Sequence, residues 1–431
     1  MKIVIATAVY YPMINGVAMF SYNLARGLAR RGEDVMVICP SQTGKSYVRT
    51  IDGVKVVHLK STEMKVYPDQ IHDVPERKKG VLGVKRPRMY EHGFRVSVFP
   101  RKEVRRVLKV FSPDVVHVQV SDPIGLSVAG WARKHNVPVV TTEHNQPEVL
   151  TEPLHIPSLI RRPVNAMLSG YFANRQSKSD FVTMPTKQAI RHLLCSREMK
   201  VPVAAVSNGV DLSAFHAGKA NSWVYKKYKI PEGVPVVLYV GRVDPEKKVG
   251  VVMRAFEKFL EDNRVDKLSE TRLVVVGDGV DKARLEAEVE RSNMAGRVRF
   301  LGRVVGEDLN EIYRCGTIFA TASEVETQGI VLIEAAASGL PLIAVNKGAV
   351  SEICVDGENG VLCEAGDVEE MARAMELLLS DDKLREKYVR RSIELSREHD
   401  FETTLDRFLN IYKKVVEDRQ KSGGILPENV L

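Results

Sequence analysis

Two glutamates, Glu326 and Glu334, stand with seven residues between them in "SEVETQGIVLIEAAASGLP", residues 323–341, where a polar loop gives way to an apolar run. "TIFATAS" before it has the pattern of a strand, "EVETQG" that of a loop, and "IVLIEAAASG" that of a helix closed by Gly339 and Pro341. A helix opening near Gly329 aims free N–H groups and the positive end of its dipole forward, which suits phosphate oxygens, and glycine lets the backbone come close. A carboxylate beside phosphate is unfavourable unless hydroxyls donate to it, so the acids point to sugar hydroxyls. Complementarity to the helix dipole for Glu326, and solvent exposure for Glu334, account for the same residues without a ligand.

"VGRVDPEKKVG" places Arg242 and Lys247 just after a strand. A rigid fork of donors and a mobile point charge together neutralise a diphosphate as it departs, although either residue alone reads more readily as a solvated charge. In "YYPMINGV", Gly16 lies between a strand and a helix, where backbone could approach a ligand or simply turn. Two histidines sit at strand ends, His117 in "VVHVQV" and His144 in "TTEHNQPE". His144 is the sharper candidate because it opens a polar loop, but both also fit structural roles. Asp278 and Asp281 in "GDGVD" belong to turn chemistry, no metal ligand cluster is evident, and neither a nucleophile elbow nor a phosphate-binding P-loop occurs.

The elements that must position these residues repeat one style. Apolar runs such as "KIVIATAV", "EDVMVIC", "VKVVHL", "PDVVHVQV", "VPVVTTEH" and "DFVTMP" alternate with amphipathic helices in the first half. "VPVVLYVGRVD", "RLVVVGDG", "RVRFLG", "TIFATAS" and "LPLIAV" do so in the second. Continuous apolar strands between helices predict parallel sheets covered on both faces, and two sets predict an α/β chain of two doubly wound domains. "SNGVDLSAF", residues 207–215, marks the boundary. We therefore expect domains at 1–209 and 210–395, a helix over 396–420 returning to the first domain, and a loose tail at 421–431. Ligands belong beyond the carboxyl ends of the strands, in a cleft between the domains.

Of 431 residues, 44% are hydrophobic and 27% charged, a soluble globular composition, and no apolar run reaches the ~20 residues of a membrane span. The amino terminus starts directly as a strand, so a cytoplasmic protein is expected. Five widely spaced cysteines without a CxxC imply reduced, mostly buried thiols. The net charge of +8 is concentrated: Glu76 to Lys109 holds twelve Lys or Arg against three Glu, and the rest of the chain balances at −1. Such a segment suits an anionic partner, a bilayer surface or a nucleic acid. Its charges are interleaved with Val, Leu and Met in "PERKKGVLGVKRPRMY", which suits docking on a bilayer, although a solvated loop and helix face accounts for the same charges. "HIPSLIRRPVNAMLSGYF" reads either as a second membrane-facing segment or as a core helix with Arg161 and Arg162 at its solvated start.

In order along the chain, "SNGVD", "VGRVDPEKK", "VVVGDG", "FLGRV" and the two-glutamate motif "ETQGIVLIEAAASGLPLIAV" resemble the retaining glycosyltransferases of the two-Rossmann GT-B architecture, family 4, over nearly the whole length. The resemblance implies that Arg242 and Lys247 hold the donor diphosphate, Glu326 the transferred sugar's hydroxyls, and Glu334 the nucleotide ribose. It implies that Gln328, Gly329, Ile330 and Val331 offer backbone to phosphates and sugar, and that Gly302, Arg303 and Val304 lie where the base rests. Gly16 matches the amino-terminal loop over the donor, and His144 the histidine near the reacting sugar. Asn15-Gly16 stands where many relatives have two glycines, and Lys248 where Gly or Asn is usual. Gln328-Gly329 and "TTEHNQPE" look like variants in members that glycosylate lipids such as diacylglycerol.

The implied activity is transfer of a hexose, glucose from UDP-glucose by this likeness, to a membrane lipid hydroxyl with retention. No cofactor is expected, with protein cations and the helix start doing what a divalent metal does elsewhere. The expected partners are the nucleotide sugar, the lipid acceptor and, through 77–109, an anionic membrane surface, giving a cytoplasmic, peripherally membrane-associated enzyme. Transfer to phosphatidylinositol or a soluble acceptor, and a nucleotide-sugar epimerase, stay open. A nucleic-acid-binding protein ranks last because no aromatic platform accompanies the charge.

Overall fold

The valine-rich runs become the strands of two parallel sheets. The computed structural model describes residues 1–13, 15–63, 95–144, 158–196, 200–263 and 267–421. It divides the chain into two units, Met1–Asn208 with the chain from Thr404 onward, and Gly209–Thr403.

The first unit contains β1 (Lys2–Ala6), α1 (Gly16–Arg30), β2 (Asp34–Pro40), β3 (Tyr47–Ile51), β4 (Val54–Leu59), β5 (Thr62–Glu63) and β6 (Arg95–Val96). It continues with α2 (Arg101–Phe111), β7 (Val115–Val118), α3 (Pro123–Lys134), β8 (Val139–Thr142), α4 (Ser158–Gln176), β9 (Phe181–Met184), α5 (Lys187–Ser196) and β10 (Val203–Ala205). Eight strands form one sheet in the order β10-β9-β8-β7-β1-β2-β4-β3, parallel except for β3, which pairs antiparallel with β4 at the edge. β5 and β6 form a separate antiparallel pair. Ile3, Val4, Ile5 and Ala6 of β1 are fully buried, as a central strand covered on both faces requires. Burying each such branched side chain contributes roughly 1.5–3 kcal/mol. Asn15 caps α1, its side chain accepting from the Ala18 N–H at 2.9 Å, and Phe20, Leu24 and Leu28 recur at helical spacing on the buried face.

The second unit contains α6 (Ser222–Tyr228), β11 (Val236–Val240), α7 (Val249–Asp262), β12 (Arg272–Val276), α8 (Lys282–Glu290) and β13 (Val298–Gly302). Then come α9 (Glu307–Cys315), β14 (Ile318–Ala320), α10 (Ile330–Ala337), β15 (Leu342–Val345), β16 (Gly360–Cys363), α11 (Val368–Ser380) and α12 (Asp382–Ser396), after which α13 (Phe401–Lys421) starts in this unit and passes at Thr404 into the first. Its six strands are all parallel in the order β13-β12-β11-β14-β15-β16. Side chains alternate between the faces: Val237 and Tyr239 of β11 pack with α7, α8 and α11, while Val236, Leu238 and Val240 pack with α6, α9 and α10.

Both sheets are doubly wound α/β, as the strand pattern predicts. Each reverses order beside its first strand, between β1 and β7 in one and between β11 and β14 in the other. Loops after those strands therefore diverge and leave room for a ligand. The last helix begins at Phe401 rather than near 396, because Arg397–His399 forms a 3-10 turn and Asp400 is extended, its bridge partner being Val210. From Thr404 that helix belongs to the first unit, where the Tyr412 hydroxyl meets His117 and Arg419 meets Asp180. Cys39, Cys315, Cys354 and Cys363 are free and buried. No described helix is long and apolar enough to cross a membrane. The tail beyond Lys421, residues 77–94 of the basic segment, and the loop that follows His144 lie outside the described residues.

Candidate functional site

At the switch point of the second unit, the loop after β11 meets the loop after β14. β11 ends at Val240, and a turn over Pro245–Lys247 leads into α7. Lys248, at φ 53°, adopts the left-handed conformation just before that helix, a conformation that glycine and asparagine enter more readily than lysine. From this turn Lys247 sends its Nζ to Glu326 Oε1 at 2.7 Å, with Ser323 Oγ and the Val325 carbonyl each at 3.5 Å. Both partners of this ion pair are only 16% exposed in their side chains. Two residues that the sequence assigns to different parts of a ligand thus share one charge-paired corner.

Arg242 is placed differently. Its guanidinium pairs with Asp244 and, at 2.5 Å, with Glu246 on its own loop, and it stays 44% exposed. The loop is stapled below by Tyr239, whose hydroxyl donates to the Arg242 carbonyl at 2.7 Å. Close backbone packing sets its path. A Cβ on Gly277 would lie 1.8 Å from the Gly241 carbonyl oxygen, and one on Gly279 would lie 2.3 Å from that of Val243. The "GDG" after β12 is therefore a packing device, in keeping with its reading as turn chemistry. Among the described residues no group of three His, Cys, Asp or Glu is placed to hold a metal ion.

After β14 the chain turns at Gly329, whose φ of 77° favours glycine, and α10 starts at Ile330 with its first N–H groups facing forward. Gln328 is buried, and Ile330 and Val331 are half-buried. Glu334 lies one turn inside α10, half-buried, and accepts from the Tyr313 hydroxyl of α9 at 2.7 Å. Burial pushes its carboxyl up to about 7, against the pull of that hydroxyl. Solvent exposure is therefore not its condition. Gly302 closes β13 in a left-handed conformation, Arg303 is exposed, and Val304 is buried in the apolar layer shared with α9 and α10.

In the first unit, Gly16 is the first residue of α1 and has nothing within 4 Å of where a Cβ would project. His144 follows β8 and is buried, with Nε2 at 2.7 Å from Gln119 Oε1 and the Phe20 ring edge-on at 5.2 Å. The Gln119 amide nitrogen sits 3.3 Å from the His117 ring nitrogens. His117 is held between the Tyr412 hydroxyl and Thr142 Oγ1, each at 2.6 Å. Burial lowers His144 to about 4 and His117 to about 3, so both rings are neutral near pH 7. With Gln119 Oε1 as acceptor, His144 carries its proton on Nε2. His117 is structural, filling a core position with both nitrogens engaged.

Sequence reasoning missed Gln119 and Tyr313. Gln119 lies two residues after His117, one past the end of β7, a signal within reach. Tyr313 lies 21 residues from Glu334 and only packing brings them together.

Two families match the chain in succession: residues 14–214 match Glycosyltransferase Family 4, and residues 224–395 match Glycosyl transferases group 1. An alpha-monoglucosyldiacylglycerol synthase of Acholeplasma laidlawii is 25% identical over 368 residues, covering 84% of each chain. A GDP-mannose-dependent alpha-mannosyltransferase of Mycobacterium tuberculosis is 27% identical over 373 residues, covering 85% of each. The sucrose-phosphate synthase of Thermosynechococcus elongatus superposes with a TM-score of 0.71 at 18% identity, over 97% of this chain and 99% of that one. With both family domains in order over two doubly wound units, the chain belongs to the family 4 glycosyltransferases of GT-B fold.

Proposed function

We propose that this glycosyltransferase moves glucose from UDP-glucose to the hydroxyl of a membrane lipid such as diacylglycerol, with retention at the anomeric carbon. The observation that carries the donor side is the corner where Lys247 meets Glu326 in front of the helix start at Gly329. A diphosphate entering there finds the Lys247 ammonium and the N–H groups of Ile330 and Val331, and Glu326 turns to the sugar hydroxyls. Lys247 and the helix start stabilise the charge that builds on the leaving phosphate, so no metal or other cofactor is needed for that step. Arg242 reaches the diphosphate by exchanging Asp244 or Glu246 for it. Gln328, Gly329, Ile330 and Val331 line the phosphates, Gly302, Arg303 and Val304 the base, Glu334 the ribose, and Gly16 and His144 the reacting end of the sugar.

The lipid acceptor rests on the likeness to the diacylglycerol-directed relative and on α2. That helix exposes Lys102, Arg105, Arg106 and Lys109 at spacings that place them on one face, beside Phe99, which is 92% exposed. A basic stripe with a protruding aromatic ring suits an anionic interface, so the enzyme works peripherally on a cytoplasmic leaflet. The GDP-mannose-dependent relative, together with a phosphatidyl-myo-inositol mannosyltransferase of Mycolicibacterium smegmatis that is also similar to this chain, supports a second reading, mannose from GDP-mannose on an inositol lipid. Incubating the protein with UDP-glucose, UDP-galactose and GDP-mannose over vesicles of diacylglycerol or phosphatidylinositol, with mass spectrometry of the lipids, tests both. Glucosyl-diacylglycerol from UDP-glucose alone supports the first reading; absence of any glycolipid, with sugar passed to a soluble alcohol, overturns the lipid assignment.

A further inference from the structure

Lys282, the first residue of α8, is neither freely solvated nor hydrogen-bonded through its ammonium. Its side chain is 20% exposed, and its one ion-pair partner among the described residues, Glu286, stands 3.9 Å off, beyond hydrogen-bond reach. A surface lysine turns its ammonium out to water; this one folds back over the end of β13. A Cβ on Gly302 would lie 3.7 Å from the Lys282 Nζ, with no other atom beyond its chain neighbours within 4 Å. Gly302 is left-handed at φ 66°, a conformation that favours glycine, so the strand end carries no side chain to fill that space. The support beneath is firm. Fully buried Leu285 anchors α8, the Lys282 N–H donates to the Gly279 carbonyl at 3.3 Å, and the Gly277 N–H donates to the Gly302 carbonyl at 2.8 Å. Bare backbone faced by an ammonium gives a flat ring both room and a donor.

Sheet geometry says which end of a nucleotide sugar lies here. Val240, Val276 and Gly302 are successive register partners on β11, β12 and β13, so Gly302 stands two strand spacings, about 10 Å, from the end of β11. The corner of Lys247 and Glu326 belongs to the loops after β11 and β14, on the opposite side of β11 from β12. A diphosphate held at that corner leaves Lys282 beyond the ribose, at the base. An ammonium has three donors and no acceptor. It therefore favours a base with a carbonyl oxygen on its edge, as at C4 of uracil or C6 of guanine. It opposes the amino group that cytosine and adenine carry at those positions. With such a base the charge-assisted bond is lost and the ammonium faces another donor.

We propose that Lys282 reads the base of the donor, donating to the carbonyl oxygen at C4 of a pyrimidine or C6 of a purine. The site then takes uridine or guanosine diphosphate sugars and rejects those of cytidine and adenosine. This deepens the donor reading above and rests on it. UDP and CDP differ only along that edge of the base, which makes them the probe pair, with GDP and ADP as the purine counterpart. Calorimetric titration of the full chain with each nucleotide needs no acceptor. The wild type should bind UDP at least about tenfold more tightly than CDP. Lys282→Met keeps the apolar stem and should melt as the wild type does. It should lose about 10- to 100-fold in UDP affinity while CDP affinity holds or improves, so that the preference collapses. Equal losses for UDP and CDP at an unchanged melting temperature put Lys282 on the phosphates and overturn the proposal. Unchanged affinity for both nucleotides, or a wild type that binds CDP and ADP as well as UDP and GDP, also overturns it. The outcomes separate this proposal from the UDP-glucose reading. A wild type that prefers GDP to UDP, in which Lys282→Met abolishes the preference for GDP over ADP, keeps the role of Lys282 and removes UDP-glucose. A wild type that prefers UDP, with Lys282→Met preferring it equally, does the opposite.

Discussion

Glu334 makes donor binding depend on pH in a direction that can be worked out in advance. Its carboxyl is raised from the ordinary 4.5 to about 7 by burial. A raised carboxyl favours the protonated folded state, so the ligand-free protein loses stability as pH rises from 4.5 to 7, by at most about 3 kcal/mol. Ribose hydroxyls donating to Glu334 favour the ionised form, so nucleotide-sugar affinity should rise with pH through the same group. For a single group titrating at about 7, affinity between pH 6 and pH 8 should increase about tenfold, near 1.4 kcal/mol. Calorimetry with an intact nucleotide sugar is the right assay, because a free terminal phosphate itself titrates near pH ~6 and would mask the effect. Proton release at pH 6.5 should appear as an enthalpy that varies with the buffer. In Glu334→Gln both the slope and the release should vanish, and Tyr313→Phe, which deletes the hydroxyl favouring the ionised form, should move the midpoint upward. Wild-type affinity that is flat from pH 6 to 8, or the same slope in Glu334→Gln, would refute the ribose assignment.

The remaining expectations concern neighbouring contacts. Lys247→Ala strands the Glu326 carboxylate and should cost roughly 1–3 kcal/mol in urea unfolding; turnover should fall about 10²- to 10³-fold. Adding Glu326→Gln should restore part of the stability but none of the activity, and a double-mutant cycle without coupling would count against the pair. Gly16→Ala projects a methyl into open space, so its melting temperature should hold or rise while KM for the donor climbs; an unchanged KM would exclude close donor approach. Gln119→Glu faces His144 with a carboxylate, which should raise the ring from about 4 toward neutrality and bend the pH–rate profile there, whereas Gln119→Leu should lower the rate without that bend. Gly277→Ala drives a Cβ onto the Gly241 carbonyl and should abolish soluble expression; wild-type yield would contradict the packing described.

The fold could be read because its strands are apolar on both faces and its helices are announced by spacing and by glycine. β3 escaped since Val48, Arg49 and Thr50 are exposed at an antiparallel edge, and β16 because "GVLC" is only four residues long. The placement of Gly329 at a helix start followed from the apolar run behind it. Long-range pairing did not follow from local pattern: Lys247 and Glu326 are 79 residues apart, and the ring of His117 meets a hydroxyl 295 residues away. For α4, composition alone could not decide which face turns inward, because Ser169 and Gln176 find buried partners or space that no short window reveals.

The return of α13 to the first unit governs how the protein must be made. Leu405, Phe408 and Tyr412 are fully buried, Phe408 lies against Phe20 and His117, and Leu405 fills the notch left by Gly27. A ribosome has released more than 400 residues before these side chains exist. The first unit therefore waits, with part of its core open, while Gly209–Thr403 is a contiguous stretch able to fold ahead of it. A stop codon just after Ser396 would remove few residues yet leave the buried His117 without Tyr412, and an excised fragment ending at Asn208 would inherit the same defect.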